Sequence, residues 1–333
     1  HRRLVRAAAG GRRRRSALED VSVQLIREFE NFNPFRTRPG KLPLSYLLRN
    51  MVFDTVFYDV GGLSAQEHAD LIGRVVDFDE GGMLVVWPQQ AERKIEYFAL
   101  SADLVAAHPD LDAVAIAGVG SSPLGTAALA RQVADAHGAK VVGVISGYGA
   151  ADVISEALGG WIDFGRRNHT RAAIEQVRAL GVAGGNGASA DALKAEYRIP
   201  SDYLLVDEPE SNTLVNLMLR HGDKLRLLVG HSKGALNIQN AAHGFELDPR
   251  AAEVSIDQLR VVTFGCGITL PARFRHLDQF VGTYDVLGRL NTPKPVTDDA
   301  DFHWVEGTAH NLNEQNPFHT PVDDLLAREA ARA

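Results

Sequence analysis

The chain has 333 residues, 45% hydrophobic and 23% charged, a composition typical of a globular protein with a substantial core. Its net charge of −7 argues against general nucleic-acid binding, because domains that bind nucleic acid are usually basic. The single cysteine, Cys266, excludes an intrachain disulfide framework and a zinc site built from several thiolates. We expect Cys266 to be a small buried residue beside a strand.

The chain contains no apolar run that approaches the ~20 residues needed to span a bilayer, so no transmembrane segment is predicted. No apolar segment near the first residue resembles a secretion signal, which favours a cytoplasmic location and leaves a processed N-terminus open. Residues 1–16 are rich in arginine and lack acidic residues, which predicts a flexible basic tail. A targeting remnant and a contact for an anionic surface are the alternatives for this tail.

Residues 17–100 are predicted to be an N-terminal extension of mixed structure. An imperfect helical stripe covers residues 17–32, whereas periodicity does not decide between helix and strand for residues 46–60. Ser64 and Glu67 have the spacing of a capping box, which predicts the start of a helix. Two strands are predicted at 83–87 and 95–100, because short apolar runs there flank a polar turn.

The segment 113–145 predicts a β-α-β unit. The apolar run AVAIAG enters a glycine-rich turn, a helix is predicted over 126–137, and KVVGVI forms the next strand. Such units build parallel sheets. Gly118-x-Gly120 also resembles part of a dinucleotide-binding turn, but the glycine spacing differs from that fingerprint and no acidic residue ends the next strand. We therefore expect no cofactor.

Residues 150–205 are the least readable part of the sequence, with a helix predicted at 171–180, and are interpreted as a possible cap or lid insertion. Beyond them the sequence predicts a helix at 212–221, strands at 259–264, 280–284 and 302–305, and a terminal helix at 321–333. Strands and helices that alternate in this way predict a three-layer α/β architecture.

The stretch 225–242, LRLLVGHSKGALNIQNAA, predicts a buried strand, a sharp turn and a helix. Its turn carries the pattern G-x-S-x-G, with Ser232 between Gly230 and Gly234. In this context Ser232 is a candidate nucleophile, and the helix N-terminus behind it would stabilise negative charge. The alternative is a glycine-flanked β–α turn of another doubly wound fold.

A serine nucleophile needs a histidine base and an acid that holds the imidazole. In sheets of this kind these groups follow strand ends in the chain order Ser, acid, His. Asp285 directly follows a predicted strand and is the candidate acid, whereas Asp278 is expected to precede that strand. His310 follows the last strand and is the candidate base, with His319 as its rival. The alternatives are a turn-forming aspartate and loop histidines without a catalytic role.

An oxyanion would need two N–H donors aimed at one point. The backbone amide of Lys233, directly after the serine, is the first candidate. The amide of Val119, in the loop after the 113–118 strand, is the second candidate. We expect no catalytic role for the Lys233 ammonium and no metal site.

These residues resemble the α/β-hydrolase superfamily. The G-H-S-K-G turn and the segment GTYDVLGRL at 282–290 are similar to the class 3 (fungal-type) lipase branch, and the resemblance covers roughly residues 110–333. It implies a three-layer α/β-hydrolase fold with a mostly parallel central sheet, in a single domain over 17–333. Two features depart from the family: Ala117-Gly118 replaces the His-Gly of many members, and the first hundred residues match no pattern.

The resemblance implies a serine carboxylic-ester hydrolase, esterase- or lipase-like, that acts through an acyl-enzyme on Ser232. Its partner would be a small-molecule or polymeric ester. The competing hypothesis is a catalytically silent binding or scaffold protein that retains the fold and uses its N-terminal region. A redox or nucleotide-binding protein is a third hypothesis.

Overall fold

The fold is organised around one sheet of eight strands in a computed structural model that describes residues 44–73, 78–91, 94–118, 121–146 and 209–330. The strands are β1 (Met83–Val86), β2 (Ile95–Phe98), β3 (Ala113–Ile116), β4 (Val141–Val144), β5 (Leu227–His231), β6 (Arg260–Phe264), β7 (His276–Gly282) and β8 (Phe302–Val305). Their order across the sheet is β2-β1-β4-β3-β5-β6-β7-β8. All neighbours from β4 to β8 are parallel, whereas β1 is antiparallel to β2 and β4. The prediction of a mixed α/β fold with a mostly parallel sheet is confirmed.

Helices connect most of these strands. In chain order they are α1 (Leu44–Phe57), α2 (Ala65–Gly73), α3 (Ser101–Ala107), α4 (Pro123–His137), α5 (Pro209–His221), α6 (Lys233–Leu247), α7 (Val286–Asn291), α8 (Lys294–Thr297) and α9 (Val322–Ala330). Short 3₁₀ turns lie at Val60–Gly62 and Pro249–Glu253. The described residues all fall within one compact unit.

Two apolar cores lie on opposite faces of the sheet, because successive strand residues point to opposite sides. On one face Ala113 and Ala115 of β3 belong to a core that includes residues of α4 and α9. On the other face Val114 and Ile116 belong to a core that includes residues of α3, α5 and α6. The described part of the chain therefore forms three layers.

Local sequence signals explain where several helices begin. The Ser64 amide donates to Glu67 Oε2 at 2.7 Å and the Glu67 amide donates to Ser64 Oγ at 3.3 Å, which confirms the predicted capping box. Helix α4 begins three residues before the predicted position. Ser122 caps α4 by accepting from the Leu124 amide, and proline suits its first position.

Three predictions of local structure need correction or completion. Residues 46–60, left open between helix and strand, mainly form α1. Strand β7 begins at His276, so the expectation that Asp278 precedes it is wrong. The first half of β7 is mostly polar and partly exposed, so the apolar run in the sequence marks only the second half of the strand. Helix α7, directly after Asp285, was not predicted.

Several predicted features lie outside the described residues: the basic tail 1–16, the stripe 17–32, the 150–205 insertion and Val119. Cys266 is only 2% exposed, as expected. In the described ranges no helix is long and apolar enough to cross a membrane.

Candidate active site

Ser232 lies in the sharp turn between β5 and α6. Its φ of 56° and ψ of −120° are a backbone conformation that residues with a side chain rarely adopt. The turn leaves no room for a side chain at either of the two glycines that flank Ser232 in the motif. A Cβ on Gly230 would lie 2.8 Å from the Ala235 backbone, and one on Gly234 would lie 2.3 Å from the Ile116 carbonyl oxygen. The two glycines of the motif are therefore a steric requirement of this turn.

Two hydrogen bonds connect Ser232 to an imidazole and a carboxylate. His310 Nε2 lies 2.9 Å from Ser232 Oγ, and His310 Nδ1 lies 2.7 Å from Asp285 Oδ2. Because an ionised carboxylate only accepts, Nδ1 carries the proton and the neutral ring presents Nε2 as an acceptor to the hydroxyl. The arrangement can therefore move the Ser232 proton to His310.

Both oxygens of the Asp285 carboxylate have hydrogen-bond partners, and the residue is almost completely buried, with 1% exposure. Its second oxygen, Oδ1, accepts from the Gly288 amide at 2.6 Å, so Asp285 also caps the first turn of α7. A Cβ on Gly265, which has a φ of +69°, would lie 2.9 Å from His310 Cε1. This glycine lets the backbone after β6 pass directly beside the imidazole.

The structure thus brings together the three side chains that the sequence singled out. Each follows the carboxyl end of a parallel strand: Ser232 after β5, Asp285 after β7 and His310 after β8. The rival His319 bonds instead through Nδ1 to the Asn316 carbonyl at 3.1 Å. The chemical roles of the three residues remain predictions.

The predicted oxyanion donors are only partly within the described residues. Lys233 begins α6, so its backbone amide lies at the N-terminus of this helix, where N–H groups can bind an anion. Its side chain is buried, with Nζ 3.4 Å from Glu210 Oε1 of α5. Val119 lies outside the described residues, but Gly118 before it passes close to the serine: a Cβ there would lie 3.0 Å from Ser232 Cβ.

Sequence reasoning missed two buried side chains beside this site. Tyr58 accepts from the Gly118 amide at 2.6 Å, and its Oη lies 2.9 Å from His231 Nδ1. His231 Nε2 lies 3.0 Å from the His310 carbonyl oxygen. The position of His231 inside the G-x-S-x-G pattern was a signal that could have been used. Tyr58 gave none, because it contacts His231 across 173 positions of the chain.

Burial shifts the pKa of several groups near the site. Burial lowers the pKa of His231 well below its usual value, and the neighbouring His310 lowers it further. Burial raises the pKa of Asp54, on α1, to about 7, although hydrogen bonds from Ser122 oppose this shift. Burial also raises the pKa of the Cys266 thiol, so we expect this cysteine to be unreactive.

Among the described residues, no group of three or more His, Cys, Asp or Glu side chains could hold a metal ion. No protein-family model matches the sequence, and no curated protein and no solved structure matches the chain.

Proposed function

We propose that this protein is a serine hydrolase that cleaves carboxylic esters through an acyl-enzyme on Ser232. The observation that carries the proposal is the continuous hydrogen-bonded array from Ser232 through His310 to Asp285. The strained backbone of Ser232 at a strand-to-helix turn supports it independently, because nucleophile elbows share this feature. The positions of all three residues after parallel strand ends support an α/β-hydrolase fold that resembles the class 3 lipase branch.

In the acylation step, His310 Nε2 takes the proton of Ser232 while Oγ forms a bond to the ester carbonyl carbon. Asp285 holds Nδ1 and stabilises the imidazolium that results. When the tetrahedral intermediate collapses, the bond from carbon to the alcohol oxygen breaks, and His310 returns its proton to the leaving alcohol.

Deacylation repeats the sequence with water as the nucleophile. His310 takes a proton from water, the hydroxide adds to the acyl carbon, and the Ser232 oxygen leaves with the proton returned by His310. In both steps the backbone amide of Lys233 would donate to the oxyanion, with the Val119 amide as the second candidate donor. Every step uses only the chain's own groups and water.

The proposal is tested by turnover of p-nitrophenyl esters of graded acyl-chain length. We expect the wild-type protein to hydrolyse at least the short-chain esters, and Ser232→Ala to lower kcat by ~10³-fold or more. His319→Asn is the matched control, because His319 bonds to the Asn316 carbonyl rather than to Ser232. It should retain wild-type turnover.

A fluorophosphonate probe separates the enzyme from a silent scaffold protein with the same fold. We expect the probe to add covalently to Ser232, as located by mass spectrometry of the digested protein. An unlabelled Ser232, or full turnover by Ser232→Ala, would contradict the proposed hydrolase and favour the non-enzymatic alternative.

A further inference from the structure

Tyr58 and His231 form a buried hydrogen-bonded chain that joins the two loops on either side of Ser232. At one end the Gly118 amide, after β3, donates to Tyr58 Oη at 2.6 Å. Tyr58 Oη and His231 Nδ1 lie 2.9 Å apart, and His231 Nε2 lies 3.0 Å from the His310 carbonyl oxygen. Both side chains are 2% exposed. Neither is part of the array that would carry out the proposed reaction.

The two ends of this hydrogen-bonded chain, together with a neutral His231 ring, fix the direction of every bond in it. A backbone amide can only donate, so Tyr58 Oη is the acceptor for Gly118 and directs its own proton to His231 Nδ1. A carbonyl oxygen can only accept, so His231 Nε2 carries the proton that binds the His310 carbonyl. A neutral His231 satisfies both requirements, and the lowered pKa of this buried ring agrees with that state.

Further contacts hold each of the two loops close to the link formed by Tyr58 and His231. Ser146 Oγ donates to the Gly118 carbonyl at 2.9 Å, so side chains hold both polar groups of Gly118. On the other side, the Leu312 amide donates to the Phe57 carbonyl at 2.8 Å, directly before Tyr58. The Phe57 ring also packs edge-on against His310, with ring centroids 6.2 Å apart. The end of α1 is therefore fixed against the loop that carries the candidate base.

We propose that Tyr58 and His231 are positioning residues, which hold the His310 loop and the Gly118 loop in fixed relation to Ser232. This inference rests on the proposed function. It gives α1 a specific role, because Tyr58, directly after this helix, supplies the hydroxyl that completes the link. The residues would act through His310 and Gly118 without touching the substrate. Their loss should therefore lower the rate of the chemical step more than it weakens substrate binding.

Tyr58→Phe tests the link, because it removes only the hydroxyl. The matched control is Tyr97→Phe on β2. The Tyr97 hydroxyl likewise accepts a backbone amide, that of Asp79, and approaches the Asp79 carboxylate. We expect Tyr58→Phe to lower kcat by ~10- to 100-fold, in line with the sensitivity of catalysis to small displacements, with KM little changed. Tyr97→Phe should leave both constants near wild type. Titrating Ser232 with a fluorophosphonate expresses kcat per folded active site.

Two substitutions of His231 test separately its hydrogen bond to Tyr58 and its hydrogen bond to the His310 carbonyl. His231→Gln can still donate to the His310 carbonyl, whereas His231→Asn places its amide near Tyr58 only. We expect kcat per titrated site to fall less in His231→Gln than in His231→Asn. A Tyr58→Phe variant with wild-type kcat, or wild-type kcat in both His231 variants, would overturn the positioning role and leave the proposed hydrolase intact. A wild-type protein that neither hydrolyses esters nor reacts at Ser232 would overturn both.

Discussion

At the residue scale, Ser232 combines backbone strain with a side chain that has a defined partner. A residue held at such a φ costs on the order of 1–3 kcal/mol and persists only where its surroundings enforce it. Here β5, α6 and the tight approach of Gly234 to β3 enforce it. In this backbone conformation Ser232 Oγ lies 2.9 Å from His310 Nε2. The same local geometry therefore explains both the glycines of the motif and the position of the hydroxyl.

Asp285→Asn should lower kcat for ester hydrolysis by ~10³- to 10⁴-fold with little change in KM. The carboxylate accepts from both His310 Nδ1 and the Gly288 amide. An asparagine offers only one oxygen, so either the imidazole takes the wrong tautomer or the Gly288 amide loses its acceptor. Steady-state kinetics with a p-nitrophenyl ester, corrected for the titrated fraction of Ser232, measures the loss.

Asp278→Asn is the control for this substitution, because Asp278 lies on the same strand, β7, opposite Val262 in the sheet register. It should retain near wild-type kcat. If Asp285→Asn also kept wild-type kcat, the assignment of Asp285 as the acid would be wrong.

The residues of the candidate site differ in how far the sequence could predict them. Ser232, Asp285 and His310 could be found because each follows a recognisable strand and because the chain order Ser, acid, His restricts the choice. Tyr58 could not be found, since nothing near it in the sequence indicates a partner 173 positions away. Val119, predicted as an oxyanion donor, lies outside the described residues.

At the element scale, sequence patterns fail where exposure interrupts the expected periodicity. Helix α1 carries three large apolar residues on exposed positions: Val52, Phe53 and Val56 are 66%, 48% and 47% exposed. They blur the apolar stripe that would identify a helix. The prediction of β7 fails for the opposite reason, because the first half of this strand is mostly polar. Most strands between these elements are buried, whereas β2 is half-buried, and their apolar runs predicted them well.

Gly234→Ala should destabilise the protein by about 3 kcal/mol, since a Cβ at this position would collide with backbone rather than with a movable side chain. The atoms in its way are the carbonyl oxygens of Ile116 and Ala117, at 2.3 and 2.8 Å. Urea unfolding followed by circular dichroism measures the free energy of unfolding.

Gly244→Ala in the same helix, α6, is the matched control. A Cβ there would meet only Val215 Cγ2, at 3.3 Å, and alanine favours helix over glycine. Its free energy of unfolding should stay within about 1 kcal/mol of wild type. Comparable destabilisation of the two variants would contradict the steric explanation of the glycines in the turn at Ser232.

At the scale of the whole molecule, one buried carboxylate links α1 to the first turn of α4. Asp54 is 1% exposed, and its Oδ2 accepts from the Ser122 amide at 3.0 Å. Ser122 caps α4 and follows the loop after β3. The packing of α1 on the sheet, and the position of that loop, therefore depend on a group whose pKa is raised to about 7.

This raised pKa predicts how stability depends on pH. In the unfolded chain Asp54 loses its proton near its ordinary pKa of 3.8, whereas in the folded protein it keeps the proton up to about pH 7. Deprotonation thus favours the unfolded state, so the free energy of unfolding should fall as pH rises from about 4 to about 7. The contribution of Asp54 is on the order of 4 kcal/mol.

Asp54→Asn removes this titration and leaves the helix contact in place. The difference in unfolding free energy, wild type minus variant, should decrease between about pH 4 and about pH 8, as measured by urea unfolding at each pH. A constant difference over that range would show that the buried Asp54 does not titrate as expected.

The bonds between α1 and the loop after β8 also bear on how the molecule is assembled. Asn313 Nδ2 donates to the Thr55 carbonyl and Asn316 Nδ2 donates to the Val56 carbonyl, across 258 and 260 positions. During synthesis, α1 leaves the ribosome long before these partners exist. Contacts so distant along a chain close slowly, because the entropy of a long loop must be lost first. A nascent chain that still lacks its last strand would therefore also lack His310 beside Ser232, and the proposed hydrolytic activity would arise only at the final stage of folding.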